Sequence, residues 1–126
     1  MNIIDSSGWL EYFADGPHAP FFADAITKSN PDDIIVPTII IYEVFKKILD
    51  EKNEDIALQV IAQLKRFHVV PFDEDIALAA AKISESYKIP MADSIIYATA
   101  KKYDAWIWTK DDDFKNLPKV KYCDTK

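Results

Sequence analysis

Glycine is scarce in this chain: only Gly8 and Gly16 occur among 126 residues. Phosphate-cradling glycine loops and the dinucleotide-binding fingerprint both need several glycines at fixed spacing, so both are excluded. ATPase and kinase chemistry is disfavoured with them. The single cysteine, Cys123, cannot close an internal disulfide. With His18 and His68 far apart in sequence, it is also too little to build a zinc cluster. Apolar runs such as Ile39-Ile40-Ile41 fall far short of a membrane span. The opening MNIIDSSGW lacks the basic region and apolar stretch of a signal peptide. The expectation is a soluble, cytoplasmic protein with no membrane partner. Positive charge is in deficit too, with 15 Lys and Arg against 21 Asp and Glu, for a net charge of −6. This argues against a dedicated DNA-binding surface. A nucleic-acid enzyme stays open, because cations held by gathered acids reverse the local sign.

Apolar residues are plentiful, at 49% of the chain with 13% aromatic, enough to fill a core in one domain spanning residues 1–126. Seven prolines punctuate the elements. Short apolar strands are expected at residues 2–4, 34–36, 69–70 and 105–108, with a last edge strand at 120–122. Helices are expected over residues 7–14, 20–28, 38–52, 55–66, 74–87 and 91–103, with Asp73 capping the fifth. The internal strands are wholly apolar and alternate with helices. That pattern belongs to an α/β fold whose parallel sheet is covered by helices on both faces. Sites in such sheets lie beyond the carboxyl ends of the strands, which gives every acid a test.

Asp5 directly follows the first strand, where it serves equally well as a helix cap or as a site residue. Asp111 lies just beyond the strand at 105–108, in the acidic run Asp111-Asp112-Asp113, which alone reads as a solvated turn. Asp93 shares a helical stripe with Ile96, Tyr97 and Ala100. A helix dipole favours an acid in the first turn but does not require it to face inward, and an inward acid needs a partner. Function is the better account of Asp93. Glu43 sits mid-helix, where an ordinary pair with Lys47 four residues on accounts for it at least as well. Taken together, several carboxylates without histidine or cysteine select hard divalent cations, Mg²⁺ or Mn²⁺. Such ions activate water and stabilise the entering and leaving oxygens of phosphodiester cleavage.

The segments NIIDSSGWLEYF, PTIIIYEVFKK and IPMADSIIYATAKKYDAWIWTKDDDF, in this order, resemble PIN-domain ribonucleases, specifically toxins of the VapC type. The likeness runs over nearly the whole chain. It implies a PIN-like three-layer α/β/α fold around a central parallel sheet of four to five short strands. Carried over residue by residue, it implies that Asp5, Glu43, Asp93 and Asp111 form the catalytic, metal-binding quartet, with Mg²⁺ or Mn²⁺ as cofactor. Asp5, Asp93 and Asp111 would hold one ion, and Glu43 a second ion or the attacking water. Asp113 matches an additional acid, and Ser6 and Thr109 match supporting polar groups. Asp112 falls at a variable, solvated position. The resemblance further implies cleavage of RNA, a homodimer and a cognate antitoxin protein that blocks the acidic pocket. Lys46, Lys47, Lys101, Lys102 and Lys110 are placed to flank such a pocket and contact phosphates, or equally to form solvated helix faces. Of Trp9, Tyr12 and Phe13, core burial is expected for at least two. The alternatives are a PIN-fold RNA-processing nuclease without an antitoxin, and a non-catalytic acidic α/β binding module.

Overall fold

The computed structural model describes residues 1–125. Among them the chain runs β1 (Asn2–Ile4), α1 (Ser6–Phe13), α2 (Ala19–Lys28), β2 (Ile35–Pro37), α3 (Thr38–Glu51), α4 (Glu54–Leu64), β3 (His68–Val70), α5 (Glu74–Tyr87), α6 (Met91–Lys102), β4 (Trp106–Thr109) and β5 (Val120–Tyr122). Short 3₁₀ turns at Pro31–Asp33 and Asp112–Phe114 punctuate the loops before β2 and after β4. The expected strands at 34–36 and 105–108 are each displaced by one residue, and β3 begins at His68. An apolar run marks where a strand lies, but the register with its neighbour sets its ends, and Pro37 pairs with Val70 at the end of β2.

All strand pairs are parallel. β1 pairs with β4 and β4 with β5, forming a three-stranded sheet, while β2 and β3 form a two-stranded one. A single bridge from Asn2 to Ile34 joins the two, giving the edge-to-edge order β3-β2-β1-β4-β5. The chain thus leaves β1 in one direction and returns on its other side at β4. Between those strands the order reverses, and a crevice opens beyond their carboxyl ends. Asp5 follows β1 there, and Asp111 follows β4. Isoleucines 3, 4, 35 and 107 are fully buried, as expected for a parallel sheet shielded on both faces.

The helices pack in sequence-adjacent pairs, α1 with α2, α3 with α4, and α5 with α6. Gly8 permits the first pairing: a Cβ there would fall 2.6 Å from the Phe22 ring and 2.8 Å from Ile4. Trp9 is fully buried and stacks on Phe13 at 5.7 Å, and Tyr12 and Phe13 pack partly buried against the same core. Helix α6 departs from its expected amphipathic form. Every residue from Asp93 to Ala100 is buried, because α5, α3 and β4 all pack against it. The stripe read from the sequence is therefore one side of a helix enclosed nearly all round, and Asp93 is carried into that enclosed setting.

With so few glycines, the left-handed turn positions fall to Asp15, Lys88, Asp104 and Lys119, with φ between 51° and 59°. Lys88 ends α5 in this conformation, where its backbone N–H bonds to the Ser84 carbonyl. Each such residue costs about 1 kcal/mol relative to glycine.

Candidate metal centre

Asp5 is the most deeply placed of the acids, with 2% of its surface exposed. Its Oδ1 accepts from the Ser6 backbone N–H at 2.8 Å, so it does cap α1. Its Oδ2 accepts from the Ser7 hydroxyl and from the Thr109 hydroxyl, both at 2.9 Å. The cap and site readings of Asp5 are thus compatible. Burial nonetheless dominates and pushes its pKa up, the hydrogen bonds from Thr109 and Ser7 pulling the other way and the charge of Asp111 adding to the rise.

Thr109, the last residue of β4, is fully buried and ties the two strand ends together. While donating to Asp5, it accepts the Asp111 backbone N–H at 2.9 Å. Asp111 in turn caps the following 3₁₀ turn, accepting from the Asp113 backbone N–H at 2.9 Å. This turn bends the chain back so that Asp113 faces the same space. One carboxylate oxygen each from Asp93, Asp111 and Asp113 lie within 4.8 Å of one another. Asp113, expected as an auxiliary acid, thereby stands nearer to Asp93 and Asp111 than that label implied. Asp5 and Glu43 lie outside this trio but inside its field.

The field is evident in the titration behaviour. Asp93 is pushed up to about 8, by burial first, then by the charge of Asp111 and by the hydrogen bond it shares with Asp113. Burial also raises Asp111, partly offset by the Asp113 N–H and reinforced by the charges of Asp113 and Asp112. Glu43 is raised by burial, with the Ser6 hydroxyl opposing and the charges of Asp5 and Asp111 adding. Among the described residues, its buried Oε1 has no hydrogen-bond partner. Lys47, the expected partner, pairs instead with Glu51 at 3.0 Å. The simple helix-pair account of Glu43 therefore fails. Among the described residues, none of these four raised carboxyls forms an ion pair with a lysine or arginine.

Lys110, which lies within the acidic segment itself, is turned away. Its Nζ sits 2.6 Å from Glu11, a buried acid that also accepts the His18 backbone N–H at 2.8 Å. The Lys110 hydrogen bond, then the His18 N–H, hold Glu11 below the ordinary glutamate range. Gly16 makes room for this anchor, since a Cβ there would fall 2.1 Å from Glu11 Oε2. Gly16→Ala should displace Glu11 and lower stability by about 2 kcal/mol in chemical denaturation, in the range of core overpacking. Lys102 pairs with Asp73 at 3.4 Å, while Lys46 and Lys101 lie over the Tyr42 and Tyr97 rings. Asp112 is exposed, as expected of a solvated position, and its carboxylate accepts from the Tyr122 hydroxyl.

Sequence reasoning credited Ser6 and passed over Ser7. The Ser7 hydroxyl is the fuller participant, meeting Asp5, lying 3.4 Å from the Thr109 hydroxyl and accepting the Lys110 N–H at 3.3 Å. The signal was present in the doubled serine, but only the partners a hundred residues away distinguish the two. Thr109→Val keeps the shape of the side chain and removes these bonds. It should cost about 1–3 kcal/mol in denaturant unfolding, because the Asp111 N–H and Asp5 Oδ2 each lose a partner, while Thr109→Ser should stay near wild type.

The sequence profile of the family described as PIN domain matches residues 3–120. The chain belongs to the PIN domain family. Comparison of folds places this PIN domain beside toxins of toxin–antitoxin systems. A toxin–antitoxin complex from Klebsiella pneumoniae aligns with a TM-score of 0.80 at 22% identity, covering 96% of each chain. FitAcB from Neisseria gonorrhoeae aligns at 0.78 with 23% identity, over 98% of this chain and 97% of that one. Mycobacterium tuberculosis VapC20, a toxin that cleaves the sarcin–ricin loop, aligns at 0.79 with 13% identity, over 95% and 97%. At these identities the likeness is one of fold. No curated protein matches the chain. No helix among the described residues of the PIN domain is long and apolar enough to cross a membrane.

Proposed function

We propose that this PIN domain is a divalent-metal-dependent endoribonuclease of the VapC toxin kind, restrained by a cognate antitoxin. The observation that carries the reading is the grouping of Asp93, Asp111 and Asp113 within 4.8 Å, with Asp5 and Glu43 close enough for charge to act between them and it. None of these acids is in an ion pair among the described residues. Burying several carboxyls together is costly unless they are protonated or balanced by a cation. The donor set consists wholly of oxygen, which suits Mg²⁺ or Mn²⁺ and disfavours zinc or copper. The orphaned Oε1 of Glu43 supports the same fit, since a buried carboxylate oxygen is seldom left without a partner.

In this reading Asp5, Asp93 and Asp111 hold the ion, with Asp113 beside them and Glu43 at its edge. When bound, the ion supplies charge neutralisation and lowers the pKa of a coordinated water. Thr109 and Ser7 fix the Asp5 carboxylate through Oδ2, and the Ser6 N–H fixes Oδ1, so its orientation is set before substrate arrives. Glu43 Oε1 is positioned to accept a hydrogen bond from the attacking water and to take its proton as the water oxygen bonds to phosphorus. The opposite P–O bond breaks, and its oxygen takes a proton from solvent water as it leaves, while Glu43 returns its proton to solvent. Water, not the ribose 2′-hydroxyl, is the nucleophile, so one product ends in an ordinary phosphate and the other in a hydroxyl. The toxins of similar fold crystallised with antitoxins support an antitoxin partner here. A homodimer acting inside the cell completes the reading.

The test is incubation of the purified protein with cellular RNA in Mg²⁺ or Mn²⁺. Cleavage that chelator stops, yielding no 2′,3′-cyclic phosphate, is the expected result. Cyclic-phosphate ends, or cleavage indifferent to chelator, would refute the hydrolytic mechanism.

A further inference from the structure

Beside the acidic centre, the outer face of α3 borders an open groove of about 800 Å³ lined by Tyr42, Glu43, Lys46, Lys47, Leu49 and Asp50. Glu43 belongs to both the groove and the centre, because it feels the charges of Asp5 and Asp111. Tyr42 is 59% exposed, and Leu49, two turns further along the same stripe, is 44% exposed. Lys46 makes no ion pair among the described residues. Its ammonium turns back over the Tyr42 ring, 5.7 Å from the centroid, although Asp50 lies one turn ahead. An exposed aromatic ring with an uncommitted cation beside it, one residue from an acid of the metal centre, is the composition of a single-stranded nucleic-acid track.

The geometry points to Tyr42 as a stacking platform for a base of single-stranded RNA next to the scissile phosphate, with Lys46 on that nucleotide's backbone phosphate. The inference rests on the endoribonuclease reading and adds to it a residue that selects unpaired substrate. A base in a duplex is already stacked on its neighbours and cannot lie on Tyr42 without being pulled out, so paired RNA is excluded at this position. The groove is wide enough for a nucleotide. Charge complementarity points to this occupant: Lys46 offers the groove a cation that makes no ion pair among the described residues, the complement of a backbone phosphate. Stacking makes Tyr42 a positioning residue rather than a catalytic one.

The experiment measures fluorescence anisotropy of a labelled 12-nucleotide oligouridylate and of a base-free ribose-phosphate chain of equal length. Ca²⁺ is present throughout to neutralise the acids. Tyr42→Ala should weaken oligouridylate binding about tenfold, in the range found for one stacked base, and leave the base-free chain unchanged. Tyr42→Phe should bind both as wild type does. Lys46→Ala should weaken both probes alike and flatten their dependence on salt. Equal binding of oligouridylate by wild type and Tyr42→Ala, equal losses on both probes, or a changed oligomeric mass in Tyr42→Ala by light scattering would overturn the inference. The two readings fail separately. Metal-dependent RNA cleavage by wild type with unchanged kcat/KM in Tyr42→Ala overturns the stacking role alone. Absence of cleavage by wild type in Mg²⁺ and Mn²⁺ overturns the nuclease and the stacking role with it.

Discussion

Asp5→Asn should lower RNA cleavage by about a thousandfold or more while the protein stays folded. Asparagine has the shape of aspartate and keeps one oxygen to accept the Ser6 N–H that starts α1. The Ser7 and Thr109 hydroxyls, which now donate to Oδ2, can rotate to accept from the new amide. What is lost is one negative charge at the most buried point of the acidic centre. Removing it also relieves the repulsion that Asp5 exerts on Asp93 and Glu43, so metal-free stability should hold or rise. Cleavage rates with purified protein and thermal unfolding of the same sample read the two effects together. A folded Asp5→Asn protein that cleaves at the wild-type rate would remove Asp5 from the centre.

The second large effect is a dependence of stability on both metal and pH. Asp93 is raised from 3.8 to about 8 in the folded protein. Between those values the native state keeps a proton that the unfolded chain has lost, so it binds more protons than the unfolded state. The stability this group contributes is full below 3.8, declines as pH rises, and is gone above about 8. Asp5, Glu43 and Asp111 are shifted in the same direction and reinforce the slope. Metal-free protein should therefore unfold at lower temperature as pH is raised from 5 towards 8. Mn²⁺ or Mg²⁺ binds the ionised carboxylates, so its stabilisation should run the opposite way. At pH 8, metal at about a hundred times its dissociation constant should raise the unfolding temperature by roughly 10 °C, and at pH 5 by little. Thermal scans at the two pH values, with metal and with chelator, check this. Equal metal shifts at both would mean that these acids do not hold the ion.

Much of the placement of these acids was legible because the strands of a parallel α/β sheet end at predictable points. Asp5 and Asp111 follow apolar strands that prove to be neighbours, at the place where the strand order reverses. Asp93 was legible because a helix-start acid on an apolar stripe needs a partner. Glu43 was not, since its position on the helix fits a pair with Lys47 equally well. Only the three-dimensional placement shows Lys47 committed to Glu51 and Glu43 Oε1 left unpartnered. The approach of Asp113 to Asp93 was not legible, because a run of three aspartates gives no sign that a 3₁₀ turn will bend the third back. The anchoring of Lys110 by Glu11 joins residues 99 apart in sequence, and no local pattern announces such a contact. Strand ends were missed by one residue for a related reason: apolar runs fix where a strand lies, and pairing fixes where it stops.

The most direct test of the central claim is a map of RNA ends across the transcriptome after brief expression of wild type and of Asp93→Asn. The acidic centre acting as a metal-dependent endoribonuclease predicts new ends at defined positions in wild-type cells, absent with Asp93→Asn at equal protein level. Identical maps from the two proteins would contradict it.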